Sequence, residues 1–207
     1  MIRTLVADCP WRYKDELRMS KTKRSAAAQY PTMTVEEIER FIFTATHDNA
    51  PLYTQLAWDA FLWLWITNPL LLDGTGARVC RAWGFKPKQL ITWVKGHIEL
   101  PNSGGWDIDV PRLKTQLGMG HYTRGVTEHM ILATKGSPKC FVKDQGVPNY
   151  ILAEELEETL VLADRGAHSV KPEASYQLIE RVTPGPYVEL FARRRRQGWT
   201  CYGNQLE

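Results

Sequence analysis

Four consecutive residues near the start of the chain, Asp8-Cys9-Pro10-Trp11, bring together a carboxylate, a backbone carbonyl and a large aromatic face. That set suits one difficult task, which is making a nucleophile of an amine conjugated to an aromatic ring. The lone pair of such an amine, as on a nucleobase, is delocalised into the ring. A carboxylate and a carbonyl that accept its two N–H bonds draw the nitrogen towards tetrahedral geometry and localise the lone pair. An aromatic face beside them stacks on the base and holds it. Asp8, the carbonyl of Cys9 and Trp11 can supply these three functions, after which in-line attack on an electrophile needs mainly positioning. The same residues also read as a strand end followed by a turn, with Asp8 as a local cap and Trp11 in the core.

The elements that must position this motif are visible in the apolar pattern. Short apolar runs at 3–7, 61–67, 89–94, 129–134, 159–162 and 187–192 predict strands, and their continuity predicts burial on both faces. Between the first two, Thr34 and Glu37 form a T-x-x-E capping box with Ile38, Phe41 and Ile42 at helical spacing. A second helix opens at Pro172 as its first residue, carries Tyr176 and Ile179 on one face, and stops before Thr183-Pro184-Gly185. Strands alternating with helices predict an α/β sheet covered by helices. Two long polar stretches, 14–29 and 96–125, each follow a strand, the side on which open α/β sheets bind ligands. Asp73-Gly74-Thr75-Gly76 resembles a glycine-rich cofactor loop, but it follows a helical stretch at 68–72 rather than a strand, and reads as a turn.

The bulk composition narrows the class. A chain of 207 residues with 43% hydrophobic and 24% charged residues supports a single domain, 1–207, with a full core. A net charge of +3 does not by itself announce a nucleic-acid binder. Cys9, Cys80, Cys140 and Cys201 lie far apart, which argues against a disulfide framework or a zinc site and for a reducing compartment. The five histidines show no ligand spacing, so no metal is expected. The first residues turn polar too soon for a signal peptide and residues 60–67 are too short to span a membrane, so the expected location is the cytoplasm.

An ordered series of motifs then makes the reading specific. Val6-Ala7-Asp8-Cys9-Pro10-Trp11 is followed by Tyr30-Pro31-Thr32-Met33-Thr34 and Phe61-Leu62-Trp63-Leu64-Trp65-Ile66-Thr67-Asn68. Ala82-Trp83-Gly84-Phe85, Ile91-Thr92-Trp93-Val94-Lys95, Gly120-His121-Tyr122 and Glu128-His129 come next. His168-Ser169-Val170-Lys171-Pro172, Ile179-Glu180-Arg181, Glu189-Leu190-Phe191-Ala192-Arg193, Gly198-Trp199 and Gly203-Asn204-Gln205 complete it. Covering most of the chain, the series resembles the MT-A70 family of adenine-N6 methyltransferases, whose catalytic tetrapeptide is D-P-P-W. The resemblance implies a Rossmann-like class I methyltransferase fold, α/β with a mixed, mostly parallel sheet flanked by helices. It is permuted, the catalytic motif preceding the cofactor segments.

The resemblance also implies roles. S-adenosyl-L-methionine is the cofactor, bound by Asp8 and by Lys171, which faces the carboxylate of its methionine part. Arg193, Asn204 and Gln205 bind its ribose and adenine, the amides offering both donors and acceptors. Arg195 and Arg196 are cofactor or phosphate contacts within a run that also reads as a solvated loop. Lys21, Lys23 and Arg24 lie in a loop that closes over a flipped base or guides its strand, and Tyr30 contacts the base or packs on the next helix. His121, Glu128 and His129 shape the pocket, unless Glu128 only orients a neighbouring backbone.

Two departures stand out. Cys9 replaces the first proline of the tetrapeptide, keeping the carbonyl but losing the fixed φ. The chain starts seven residues before Asp8, so the adenine end of the cofactor pocket needs another wall than an upstream segment. Three functions are in competition: N6 methylation of DNA adenine, favoured by likeness to short bacterial and phage members; the same chemistry on RNA; and a non-catalytic nucleic-acid-binding subunit. The retention of Asp8, Trp11, Lys171 and Asn204 together argues against the last. A homodimer or a related partner subunit is expected, with 96–125 as the pairing surface.

Overall fold

The computed structural model describes residues 1–13, 31–47, 49–99, 112–115, 123, 125–153, 171–203 and 206. Its main sheet contains β1 (Ile2–Ala7), β4 (Leu56–Ile66), β5 (Lys86–Glu99), β6 (Arg112–Thr115), β7 (Thr127–Lys135), β8 (Tyr150–Ala153), β9 (Tyr187–Leu190) and β10 (Trp199–Tyr202). A separate two-stranded ribbon pairs β2 (Thr46–His47) with β3 (Ala50–Pro51). The main order is β10-β9-β1-β4-β7-β5-β6, with β8 also on β5. Pairings β10–β9, β9–β1, β1–β4 and β5–β8 are parallel; β4–β7, β7–β5 and β5–β6 are antiparallel. The sheet is therefore mixed and mostly parallel, as the Rossmann-like expectation requires.

Alternation along the strands sorts the core into two faces. Leu5 and Ala7 of β1, with Leu62, Leu64 and Ile66 of β4, pack on one face against Ile38 and Ile42. Val6 of β1, with Trp63 and Trp65 of β4, packs on the other against Tyr176, Ile179 and Val182. Ile38 and Ile42 are one turn apart on helix α1 (Val35–Thr44), whose start is fixed by the capping box. Thr34 Oγ1 accepts from the Glu37 amide at 3.2 Å, and the Glu37 carboxylate accepts from the Thr34 amide at 2.7 Å. Single turns α2 (Leu52–Gln55) and α3 (Asn68–Leu72) follow, then α4 (Thr75–Ala82). Helix α5 (Glu173–Val182) covers the second face. The two helices flanking β1 and β9 thus lie on opposite sides of the sheet. That makes the carboxyl ends of these neighbouring strands a topological switch point, where open α/β sheets form a crevice.

Three sequence expectations change. Pro172 caps α5 from outside instead of opening it, with extended backbone at φ −66°, ψ 143°. Asp73-Gly74 is a turn as expected, but a helix opens directly at Thr75, its amide held by Asp73 Oδ1 at 2.9 Å. Gly76 belongs to that helix, and its missing side chain makes room for Ile131, whose Cδ1 would lie 2.6 Å from a Cβ there. The supposed loop 96–125 begins as strand: β5 runs to Glu99 and pairs Gly96 with Thr115 and Glu99 with Arg112. The predicted strand at 159–162 lies outside the described residues. Among the described residues no helix is long and apolar enough to cross a membrane, and no cluster of His, Cys, Asp and Glu has the geometry to hold a metal.

Candidate active site

The crevice is built at the end of β1. The Asp8 amide makes the last rung to the Leu190 carbonyl at 3.4 Å, and the chain then leaves the sheet. Across Pro10, the Trp11 amide donates to the Cys9 carbonyl at 2.9 Å, closing a three-residue turn. The Met33 amide donates to the Pro10 carbonyl at 2.8 Å, and the Arg12 amide to the Met33 carbonyl at 3.0 Å. Because Met33 precedes the N-cap of α1, the start of that helix clamps the tetrapeptide. The Cys9 carbonyl keeps a second lone pair for another donor. The Cys9 thiol is buried, and burial followed by the nearby Asp8 charge pushes its pKa well above the usual thiol range. A thiol held neutral in this way is not a nucleophile.

A buried chain of alternating charges lies beside the motif. Lys171 is 6% exposed, with Nζ 3.1 Å from Asp8 Oδ2 and 3.1 Å from Glu128 Oε2. Glu128 Oε1 in turn meets Lys95 Nζ at 2.9 Å. Burial alone would favour neutral groups, but the facing charges outweigh it. Lys171 is held charged by Asp8 and Glu128, its pKa raised above the ordinary lysine range despite desolvation. Glu128 resists the upward push of burial and is held at about 2 by Lys171 and Lys95. The Lys171 ammonium also lies 5.1 Å from the Trp65 ring centroid.

These groups open onto a cavity of about 440 Å³, of the size of small-molecule sites. Asp8, Trp65, Thr67, Glu128 and Lys171 line it from the β1, β4 and β7 side. Phe191, Arg193, Tyr202 and Gly203 line it from the ends of β9 and β10, and Phe41 of α1 closes over them. Phe41 and Phe191 pack with ring centroids 4.5 Å apart and their planes tilted by 39°. Phe191 adopts φ 62°, a left-handed conformation unusual for a bulky side chain and costing about 1–3 kcal/mol. Gly203 sits so close to the neighbouring backbone that a Cβ would lie 1.9 Å from the Ala192 carbonyl oxygen. An ammonium beside a carboxylate at one side fits the zwitterionic methionine end of S-adenosylmethionine. The aromatic pair at the other side fits its adenosine.

The structure sorts the sequence-predicted residues. Asp8, Cys9, Pro10, Trp11, Glu128, Lys171 and Arg193 converge on the cavity. Trp11 is 5% exposed and belongs to the core, so it presents little of its face. His129 does not line the cavity; its Nε2 meets Asn68 Oδ1 at 2.5 Å and its Nδ1 meets Thr92 Oγ1 at 3.0 Å. Burial lowers its pKa. Arg195 is exposed and away from the cavity wall. Arg196 is engaged elsewhere, bonding Glu173 through Nη2 at 2.9 Å and lying 3.6 Å from the Tyr176 ring centroid. Lys21, Lys23, Arg24, Tyr30, His121, Asn204 and Gln205 lie outside the described residues. Sequence reasoning missed Tyr13, Phe41, Trp65 and Phe191 as cavity residues. Trp65 and Phe191 stood inside the quoted motifs, but nothing in their spacing marked them as more than core.

Comparison with known proteins now adds an independent line. Residues 3–205 match the MT-A70 family. The chain is 27% identical over 206 residues to the N(6)-adenosine-methyltransferase catalytic subunit METTL3 of Homo sapiens, covering 98% of this chain and 28% of that protein. It is 26% identical over 205 residues to the N(6)-adenosine-methyltransferase MT-A70-like of Arabidopsis thaliana, covering 98% and 23%. The MT-A70-like protein of Drosophila melanogaster, also named an N(6)-adenosine-methyltransferase, is 26% identical over 207 residues, covering 98% and 26%. The chain therefore spans about a quarter of the length of these relatives.

Proposed function

This chain belongs to the MT-A70 family, and we propose that it uses S-adenosylmethionine to methylate the N6 amine of adenine in a nucleic acid. The observation that carries the proposal is that Asp8, paired with Lys171, lines the cavity together with the next residue, Cys9. The bound cofactor supplies an electrophilic methyl group on a sulfonium centre. Lys171 holds its carboxylate by charge, and Asp8 together with Glu128 keeps that ammonium in place. Phe41, Phe191, Arg193 and Gly203 line the cavity and would hold the adenosine. Asp8 and the second lone pair of the Cys9 carbonyl accept the two N6 hydrogens and localise the nitrogen lone pair. N6 takes the methyl group as its bond to sulfur breaks, leaving a neutral thioether, and the surplus N6 proton leaves through Asp8 to solvent. The low-dielectric walls strengthen these contacts. An N6 amine engaged in a base pair is out of reach, so the target adenine is single-stranded or flipped.

DNA is the polymer that the likeness to short family members favours. A second reading, adenosine in RNA, is favoured by the names of the relatives, each an N(6)-adenosine-methyltransferase. One relative is named a catalytic subunit, which supports pairing with a second copy or a related subunit; the stretch 96–125 is the surface we assign to it. Incubation with labelled S-adenosylmethionine and, separately, single-stranded DNA, duplex DNA and RNA tests the function and ranks the polymers. Label enters adenine in at least one polymer and is lost in Asp8→Asn. Cofactor binding without label in any polymer would instead support a non-catalytic subunit.

A further inference from the structure

The buried state of Trp11 leaves an unanswered need. Trp11 lines the cavity, but its ring is 5% exposed and packed in the core, so a base presented to Asp8 has need of a second, more open aromatic face. Two residues further along, Tyr13 lines the same cavity and is 39% exposed. Its hydroxyl is 2.9 Å from Thr67 Oγ1, which lies just beyond the end of β4. β4 is the parallel neighbour of β1, with Ala7 opposite Leu64. The tyrosine therefore ties the segment leaving β1 to the end of the adjacent strand, on the side of the cavity that carries Asp8. Thr67 is itself held from below: the next residue, Asn68, bonds His129, and His129 bonds Thr92 of β5.

We infer that Tyr13 is the stacking platform for the target base, fixed in orientation by Thr67 and by the His129–Asn68 contact behind it. This rests on the methyltransferase reading above. A tyrosine suits the position because its apolar ring contacts the base while its hydroxyl keeps a polar partner at the wet rim. The base then lies against Tyr13 with its amine directed to Asp8, and Trp11 serves as the buried floor that holds the motif.

The test compares Tyr13→Ala, Tyr13→Phe and Tyr13→Trp with the unaltered protein. Steady-state methylation gives KM for the oligonucleotide, calorimetry gives the Kd for S-adenosylmethionine without nucleic acid, and 2-aminopurine at the target position reports stacking. Tyr13→Ala should raise the oligonucleotide KM roughly ten- to a hundredfold, the range of a lost base–aromatic stack. Its Kd for S-adenosylmethionine should stay within about twofold, since only nucleic-acid stacking is removed. Quenching of bound 2-aminopurine should weaken, and Tyr13→Phe and Tyr13→Trp, which keep a ring but lose the bond to Thr67, should fall between Tyr13→Ala and the unaltered protein in both KM and quenching. An unchanged KM and unchanged quenching in Tyr13→Ala, while the unaltered protein methylates adenine, would overturn the role of Tyr13 alone. Equal weakening of cofactor binding would reassign it as a structural tether. Absence of methylation by the unaltered protein would overturn the underlying reading, and this inference with it.

Discussion

Replacing Lys171 by methionine removes the charge at the centre of the site while keeping a chain of similar length. In the native arrangement its ammonium stands 3.1 Å from each of two carboxylates and is 6% exposed. Removing one partner of such a buried pair costs about 3–5 kcal/mol, because the remaining charges are left in a desolvated place without compensation. The shift of Glu128 from its ordinary 4.5 to about 2 gives a similar scale, about 3 kcal/mol, shared between Lys171 and Lys95. Lys171→Met should therefore lose about 3 kcal/mol at pH 7 and roughly 6–12 °C in Tm. The pH dependence has a definite sign. A carboxylate whose folded pKa is depressed stabilises above its unfolded value and loses that contribution as pH falls through the folded value. The advantage of the native protein should hold from about pH 5 upward and shrink between about pH 4.5 and 2. Lys171, its pKa raised by the same carboxylates, stays charged across this range, and its own deprotonation removes the contribution only above the ordinary lysine range. Urea unfolding of both proteins at a series of pH values measures the difference, and calorimetry should show cofactor affinity weakened about ten- to a hundredfold. A loss under about 1 kcal/mol at pH 7, or a difference that does not narrow in acid, would refute the coupled-charge reasoning.

Cys9→Pro tests whether the carbonyl or the side chain of that residue does the work. The carbonyl survives and the fixed φ stiffens the turn, so kcat should stay within about threefold or rise; a large loss in the folded variant would count against the carbonyl. Gly203→Ala should be poorly tolerated, since its Cβ would lie 1.9 Å from the Ala192 carbonyl and open the 2.8 Å bond from the Ala192 amide to the Tyr202 carbonyl. A loss of about 1–3 kcal/mol in unfolding experiments, together with weaker cofactor binding, is expected; normal values for both would show that the backbone has room.

The central strands were legible because they are buried on both faces and carry unbroken apolar runs, as in Val6-Ala7 and Phe61–Ile66. The strands β6, β8 and β10 were not. Each is four residues long, and the sequences RLKT and WTCY carry no apolar run for a pattern to detect. Helix α4 was hidden by glycines that normally punctuate turns, one of which is there for contact with Ile131. At the site, local chemistry and family likeness pointed to Asp8 and Lys171, but the bridge from Lys171 through Glu128 to Lys95 joins three separate elements and leaves no local signal. The two roles open to Trp11, core residue or base platform, depend on how the chain packs behind it. Its burial, the left-handed Phe191 and the exposure of Tyr13 are properties of tertiary structure alone.

The central claim is that Asp8 and the Cys9 carbonyl activate the N6 amine of adenine. Its most direct test is the chemical position of the transferred methyl group. Oligonucleotides methylated with deuterium-labelled S-adenosylmethionine are digested to nucleosides and resolved by mass spectrometry against N6-, N1- and C-methylated standards. The account predicts label in N6-methyladenine or its ribonucleoside, and none there with Asp8→Asn that still binds cofactor and remains folded. Label at another atom, or N6 label that persists in Asp8→Asn, would contradict it.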